Sequence, residues 1–292
     1  MVTGVARAMV ICAAIVVGPT MSVTAAGAHT APPVRVAGAT CPAAVVIPAR
    51  GSGDPAVAPQ RYGRSTTDGL EGPLLSMLLT ATYGGAADIA AVPVVSTGPG
   101  YRAVSVPEGA ATRGFGASIA SGVSAVTARY DAVARAGGPG CRPRAVLVGY
   151  SQGAAVVREA ARRLAARAVV RAVMTFGDPF QLPGADGVVG AGSRGIGVWR
   201  TDAGAAVSGI DTVGIDSFYR LPGVTRWSLC HGGDPVCDLG PTADPTGSPH
   251  NTYLRAGLRY VPAAGRPATR RTELVVAVET LRSFIRTAVA GR

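Results

Sequence analysis

The sequence predicts an α/β protein whose mostly parallel sheet is covered by helices on both faces. Three observations carry this expectation. Short runs rich in β-branched residues alternate with longer segments of helical apolar spacing, the pattern of strand–helix–strand units. The strand runs are continuously apolar rather than apolar at every second residue, as in strands buried on both faces. The 292 residues contain no internal repeat and no internal linker, so one domain is expected.

Taken in order, residues 44–48 (AVVIP) read as the first strand. Residues 72–81 have helical spacing, and 89–95 read as a second strand. A long helical pattern over 114–136 stops at Gly137-Gly138-Pro139, residues that end helices. The apolar strand 144–148 leads almost at once into a strong helix over 152–166. Residues 169–176 form another strand and 225–229 a weaker one. The chain closes on a helix over 273–290, with Leu274, Val278, Leu281 and Ile285 as its apolar stripe. Residues 181–224 break the rhythm: they are Gly-rich and carry Trp199, Phe218 and Tyr219. So long a connection is either functional, as a lid or substrate wall, or a surface excursion.

Composition removes several classes. With 48% hydrophobic and 15% charged residues the chain is too apolar to be disordered, and its 40 glycines follow no Gly-X-Y period. All 28 basic residues are arginine, against 17 acidic residues, for a formal net charge of +11. Such a balance suggests an anionic partner. The arginines are scattered, however, with pairs at Arg162-Arg163 and Arg270-Arg271 but no run of five, unlike a nucleic-acid-binding arm. No nucleic-acid partner is expected. Peripheral contact with an anionic lipid or envelope surface stays open.

Residues 1–28 have the parts of a secretory signal: Arg7, an apolar run over 8–17, and the A-x-A site Ala26-Gly27-Ala28. Ten helical residues span about half of a bilayer core of roughly 30 Å, which disfavours an anchor. Export with cleavage is the expectation, with 29–40 as a flexible arm and 41–292 as the domain. Loss of Arg7 leaves 27 arginines against 17 acids, a charge of +10. Cys12 leaves with the signal. Cys41, Cys141, Cys230 and Cys237 remain, an even number suited to an oxidising compartment. Three pairings are open. The short spacing of Cys230 and Cys237 favours a local bridge, which leaves Cys41 with Cys141; that bridge would contribute on the order of 4–5 kcal/mol in the chain-entropy model. No zinc-like Cys/His spacing occurs, so no metal is expected.

Gly149-Tyr150-Ser151-Gln152-Gly153 matches G-x-S-x-G. About 0.3 such matches are expected by chance in so glycine-rich a chain, so its weight comes from its position between an apolar strand and a helix. There a sharp turn lifts Ser151 above the sheet edge, and the helix N-terminus points free N–H groups at the same place. A serine nucleophile needs a base and a residue that orients the base. After the signal only His29, His231 and His250 remain. His29 lies in the arm, and His231 shares a small loop with the best acid, Asp234. His250 lies downstream of Asp234 and is preferred as base. Asp178 is the rival acid, because Phe176-Gly177-Asp178-Pro179 repeats the Gly-Asp-Pro of Gly233-Asp234-Pro235. Asp234 is preferred because a Cys230–Cys237 ring would fix its loop, whereas Asp178 suits a turn cap. The Gln152 N–H is one candidate oxyanion donor, and Ser52 in Arg50-Gly51-Ser52-Gly53 is the second, although that loop also reads as an ordinary turn.

Together, C-P-A-A-V-V-I-P-A-R-G-S-G, G-Y-S-Q-G-A, F-G-D-P-F, C-H-G-G-D-P-V-C and H-N-T-Y resemble the cutinase family of serine esterases, in its bacterial cutinase-like form. The resemblance runs from Cys41 to the last helix. It implies a three-layer α/β/α sandwich of the α/β-hydrolase type, a triad of Ser151, Asp234 and His250, an oxyanion hole from Ser52 and Gln152, and bridges Cys41–Cys141 and Cys230–Cys237. The implied activity is that of a secreted, monomeric serine carboxylesterase without cofactor or metal, acting on short- or medium-chain esters, lipids or a cutin-like polyester. An acyltransferase on the same fold and a catalytically silent envelope-binding protein are the alternatives. The stretch between Phe180 and Cys230 is longer than in the compact fungal cutinases, whose site is open, so that 181–224 could cover this one; His231 takes no role from the resemblance.

Overall fold

A computed structural model describes residues 40–291. The expected signal 1–28 and all but the last residue of the arm 29–40 lie outside the described residues. The central sheet has five parallel strands: β1 (Ala44–Ala49), β4 (Arg144–Tyr150), β5 (Val170–Phe176), β7 (Thr225–Leu229) and the short edge strand β6 (Val188–Val189), in the order β1-β4-β5-β7-β6. A separate antiparallel ribbon pairs β2 (Arg61–Tyr62) with β3 (Ser65–Thr66). Register aligns the strand ends: Ala49 lies opposite Gly149, Tyr150 opposite Phe176, and Phe176 opposite Leu229. The loops leaving four strands therefore emerge side by side along one sheet edge, where open α/β sheets place their ligands.

Among the described residues there are six helices: α1 (Gly72–Tyr83), α2 (Val106–Thr112), α3 (Phe115–Ala136), α4 (Gln152–Ala165), α5 (Asp202–Ser208) and α6 (Glu273–Ala290); α1, α3, α4 and α6 pack on the sheet. Successive strand side chains point to opposite faces. Val45 and Ile47 of β1 thus enter a core with Val126 and Tyr130 of α3 and Val156 of α4. Ala44 and Val46 enter a second core with Leu75 and Leu78 of α1 and Leu281 of α6. The result is a single-domain three-layer α/β/α sandwich. Among the described residues, no helix is long and apolar enough to cross a membrane.

Residues 89–95, expected as a strand, are not one. Val94 alone bridges to Val46, with Val46 N–H donating to the Pro93 carbonyl at 2.9 Å and Val95 N–H to the Val46 carbonyl at 3.0 Å. Pro93 has no N–H to extend the ladder, and the residues before it are turned by Ile89→Ala86 and Val92→Ile89 bonds. Ile89, Val92 and Val94 are apolar because they fill the α1–α6 core.

Residues 181–224 carry β6, α5 and two 3-10 turns, Val198–Arg200 and Ile215–Arg220. Trp199, Ile215 and Phe218 from this stretch, with Phe180 just before it, join the α3–α4 core. Arg158 of α4, fully buried, ties the segment down. Its Nη1 donates to Asp178 Oδ2 at 2.7 Å and to the Phe180 carbonyl at 2.6 Å, and Nη2 reaches the Ile215 carbonyl at 3.3 Å. The guanidinium lies 4.6 Å from the Phe218 ring centre and 4.8 Å from that of Tyr219. Asp178→Ala leaves this charge buried and unpaired, so urea unfolding should show a loss of about 3–5 kcal/mol; in an Arg158→Met background the same substitution should cost far less.

Candidate active site

Strand β4 ends at Tyr150 and α4 begins at Gln152, so the chain reverses within one residue. Ser151 takes the strain, with φ 55° and ψ −122°, a conformation that costs a β-carbon-bearing residue about 1–3 kcal/mol. Its N–H donates to the Phe176 carbonyl at 2.9 Å, and its carbonyl accepts from Ala154 N–H at 2.9 Å. A Cβ at Gly153 would collide with the Ala49 and Arg50 carbonyl oxygens. Glycine there lets the first turn of α4 lie directly on the loop that leaves β1.

His250 sits on the 3-10 turn Pro249–Thr252. Its Nε2 is 2.9 Å from Ser151 Oγ, and its Nδ1 is 2.9 Å from Asp234 Oδ2 and 3.1 Å from Oδ1. The imidazole stacks on Tyr150 with ring centres 5.2 Å apart, and the Tyr150 hydroxyl donates to the His250 carbonyl at 3.0 Å. Gly177, at φ 58°, leaves room for the ring: a Cβ there would lie 2.6 Å from His250 Cε1.

Asp234 is fully buried inside the small ring closed by the Cys230–Cys237 bridge. Val236 N–H donates to its Oδ1 at 2.7 Å and the Tyr253 hydroxyl to its Oδ2 at 2.6 Å. Burial pushes the carboxyl up, but the His250 imidazole beside it and these donors outweigh burial and hold it below the usual carboxylate value. Burial, and then the Asp234 charge, push the Tyr253 hydroxyl well above its ordinary value, so it remains a donor.

The rival acid and the second histidine are occupied elsewhere. Asp178 pairs with Arg158 and closes its own turn by accepting Phe180 N–H at 2.8 Å. His231 has both ring nitrogens engaged, by the Pro249 carbonyl and by Glu273. Ser52 lies in the turn after β1, where Gly51 N–H donates to Asp54 Oδ2 at 2.9 Å and Gly53 N–H to the Ala103 carbonyl at 2.8 Å. Gln152 is buried at the start of α4, with Oε1 3.1 Å from the Tyr101 hydroxyl, which is also 3.2 Å from the Arg50 carbonyl. Tyr101 thus sits between the two loops expected to bind an oxyanion. The second bridge, Cys41–Cys141, joins residues 100 apart ahead of β1 and β4. Among the described residues, no three His, Cys, Asp or Glu side chains gather in a way that could hold a metal ion.

Sequence reasoning missed the tyrosines and Glu273. Tyr150 occupies the variable position before Ser151, and Tyr253 follows His250 by three residues, directly after its turn, a spacing that could have flagged it. Tyr101 and Glu273 reach the site only through the fold, and no local signal marks them.

A family model described as Cutinase matches residues 40–263. Similar solved structures include a cutinase-like protein from Cryptococcus sp. (TM-score 0.44, 19% identity, covering 74% of this chain and 96% of that one). They also include an acetylxylan esterase (TM-score 0.49, 17% identity, 86% and 100% coverage) and Trichoderma reesei cutinase in complex with a phosphonate inhibitor (TM-score 0.43, 21% identity, 85% and 77% coverage). No curated protein matches the chain.

The depressed Asp234 carboxyl has a consequence for acid stability. Its contribution is fully present above the unfolded value of about 4 and is lost as pH falls through the lower folded value. Asp234→Asn should therefore flatten the fall of Tm below about pH 4, measured by thermal melts over a pH series.

Proposed function

The chain belongs to the cutinase family of carboxylic ester hydrolases, and from that premise we propose that Ser151, His250 and Asp234 are its catalytic triad. The single observation that carries this reading is the continuous hydrogen-bonded line from Ser151 Oγ through the His250 ring to the buried Asp234 carboxylate, with 2.9 Å at each step. His250 Nε2 accepts the serine proton as Oγ attacks the ester carbonyl. Asp234 keeps the proton on Nδ1 and stabilises the imidazolium that forms. The Gln152 N–H and Ser52, through its N–H and hydroxyl, stabilise the tetrahedral oxyanion. His250 then protonates the leaving alkoxide, and water activated by the same imidazole releases the acid from the acyl-enzyme.

The substrates in this reading are short- and medium-chain esters, lipids or a polyester, and a series of p-nitrophenyl esters of increasing acyl length separates them. The enzyme is taken as exported, which the two bridges and the signal-like pattern at 1–28 support. Contact with an anionic lipid surface would make activity on vesicles rise with anionic-lipid content and fall with salt.

Ser151→Ala should abolish hydrolysis of short p-nitrophenyl esters and labelling by a fluorophosphonate probe, while far-ultraviolet circular dichroism stays unchanged. Folded wild-type protein that fails to label would contradict the assignment. Asp234→Asn should lower kcat by about four orders of magnitude with little change in KM, as loss of the orienting carboxylate does in serine hydrolases.

A further inference from the structure

His231 is the second histidine of the site region and has no part in the chemistry above. Its side chain is 12% exposed, and its ring is pinned at both ends. Nδ1 is 2.8 Å from the carbonyl of Pro249, the residue next to His250, and Nε2 is 2.7 Å from Glu273 Oε1. Neither nitrogen faces a donor. A carbonyl can only accept, and Glu273, at the first position of α6, also accepts Leu254 N–H through its other oxygen at 3.3 Å. Two acceptors require two N–H groups, which an imidazole has only when it is charged. The ring also lies 4.0 Å, centre to centre, from that of Tyr253 and nearly parallel to it, while the backbone N–H of His231 donates to the Tyr253 hydroxyl at 3.1 Å. That hydroxyl is the one that donates to Asp234. One side chain therefore touches both supports of the proposed triad: the turn that carries His250 and the tyrosine that holds Asp234.

We infer that His231 is a positioning residue that must carry a proton on both ring nitrogens to hold the His250 turn and Tyr253 in place, and that its loss of a proton sets an alkaline limit on turnover. This rests on the proposed role of His250. A neutral ring keeps one N–H and gives up either the Pro249 carbonyl or Glu273. The groups around the ring agree with a cation. Glu273 faces it from α6, with Tyr260 near the carboxylate; Asp234 acts on it from the disulfide ring; His250 lies on the following turn and Tyr253 directly after it. Residues 190–193, against the backbone of Cys230 and His231, bring no charged side chain. Burial pushes the imidazole down, but Glu273, the Pro249 carbonyl and Asp234 outweigh it and raise it above the ordinary value. The sign follows: for a raised imidazole the clamp is whole below the ordinary histidine range and is lost as pH rises through the folded value.

The test is the pH profile of kcat and KM on a short p-nitrophenyl ester, from about pH 5 to pH 10, for wild type, Glu273→Gln and His231→Gln. In wild type kcat should fall on the alkaline side, with KM unchanged. Glu273→Gln should move the alkaline limb to lower pH. His231→Gln should abolish that limb and lower neutral-pH kcat about tenfold, the scale of one charged hydrogen bond. An alkaline limb of the same shape and position in all three proteins overturns the inference. An NMR titration of the His231 ring in Ser151→Ala protein gives a readout independent of hydrolysis, and of whether the clamp variants fold. A doubly protonated His231 at pH ~7 that titrates at the alkaline limb supports the clamp, and a neutral ring there overturns it. Failure of Ser151 to take the fluorophosphonate defeats the catalytic reading instead, and leaves the titration to decide the state of His231.

Discussion

The site is organised around a carboxylate kept charged in the interior. Asp234 is out of reach of solvent, and burying such a charge costs several kcal/mol unless its lone pairs are filled. Three donors fill them: the His250 ring, the Tyr253 hydroxyl and the Val236 N–H. Each comes with a structural demand. Val236 must lie inside the Cys230–Cys237 ring, Tyr253 must stay protonated, and His250 must present Nδ1 inward, which turns Nε2 outward to Ser151. The direction of the proposed proton transfer is thus set by the need to satisfy one buried anion.

The sheet supplies the other constraint. Parallel strands in register deliver the ends of β1, β4, β5 and β7 to one edge, so residues from four distant stretches meet there. Ser151 is held in its unfavourable backbone conformation by Phe176 of the neighbouring strand and by the contact of Gly153 with the loop after β1. That same contact brings the loop bearing Ser52 against the helix start bearing Gln152. Tyr101 lies between these loops, and its hydroxyl links the Gln152 side chain to the Arg50 carbonyl, two residues before Ser52. In the proposed reaction this matters because donors already in place need not reorganise as charge develops.

How much could be read beforehand depended on whether a feature is local. The Ser151 turn was legible because strand, glycine and helix are consecutive. His250 was legible by elimination among few histidines, and Asp234 because a short Cys–Cys spacing marks a constrained loop. The alternation of strands and helices conveyed the layers. Residues 89–95 misled, because β-branched content reports burial as readily as pairing, and Pro93 cannot continue a ladder. Within 181–224, α5 spans seven residues, too short for a periodic signal, and the stretch is anchored by Arg158, a residue of another element. The contact of His231 with Glu273 spans 42 residues and exists only once α6 has docked on the sheet.

The central claim is that Ser151 forms the covalent acyl intermediate. Incubating the protein with a slowly hydrolysed ester, quenching in acid, cleaving at arginine and reading masses addresses it directly. The account predicts one acyl group on the peptide spanning residues 145–158, located at Ser151 by fragmentation, appearing before bulk hydrolysis and disappearing with it. Turnover of the ester with that peptide unmodified throughout, or with the acyl group on a different residue, would contradict it.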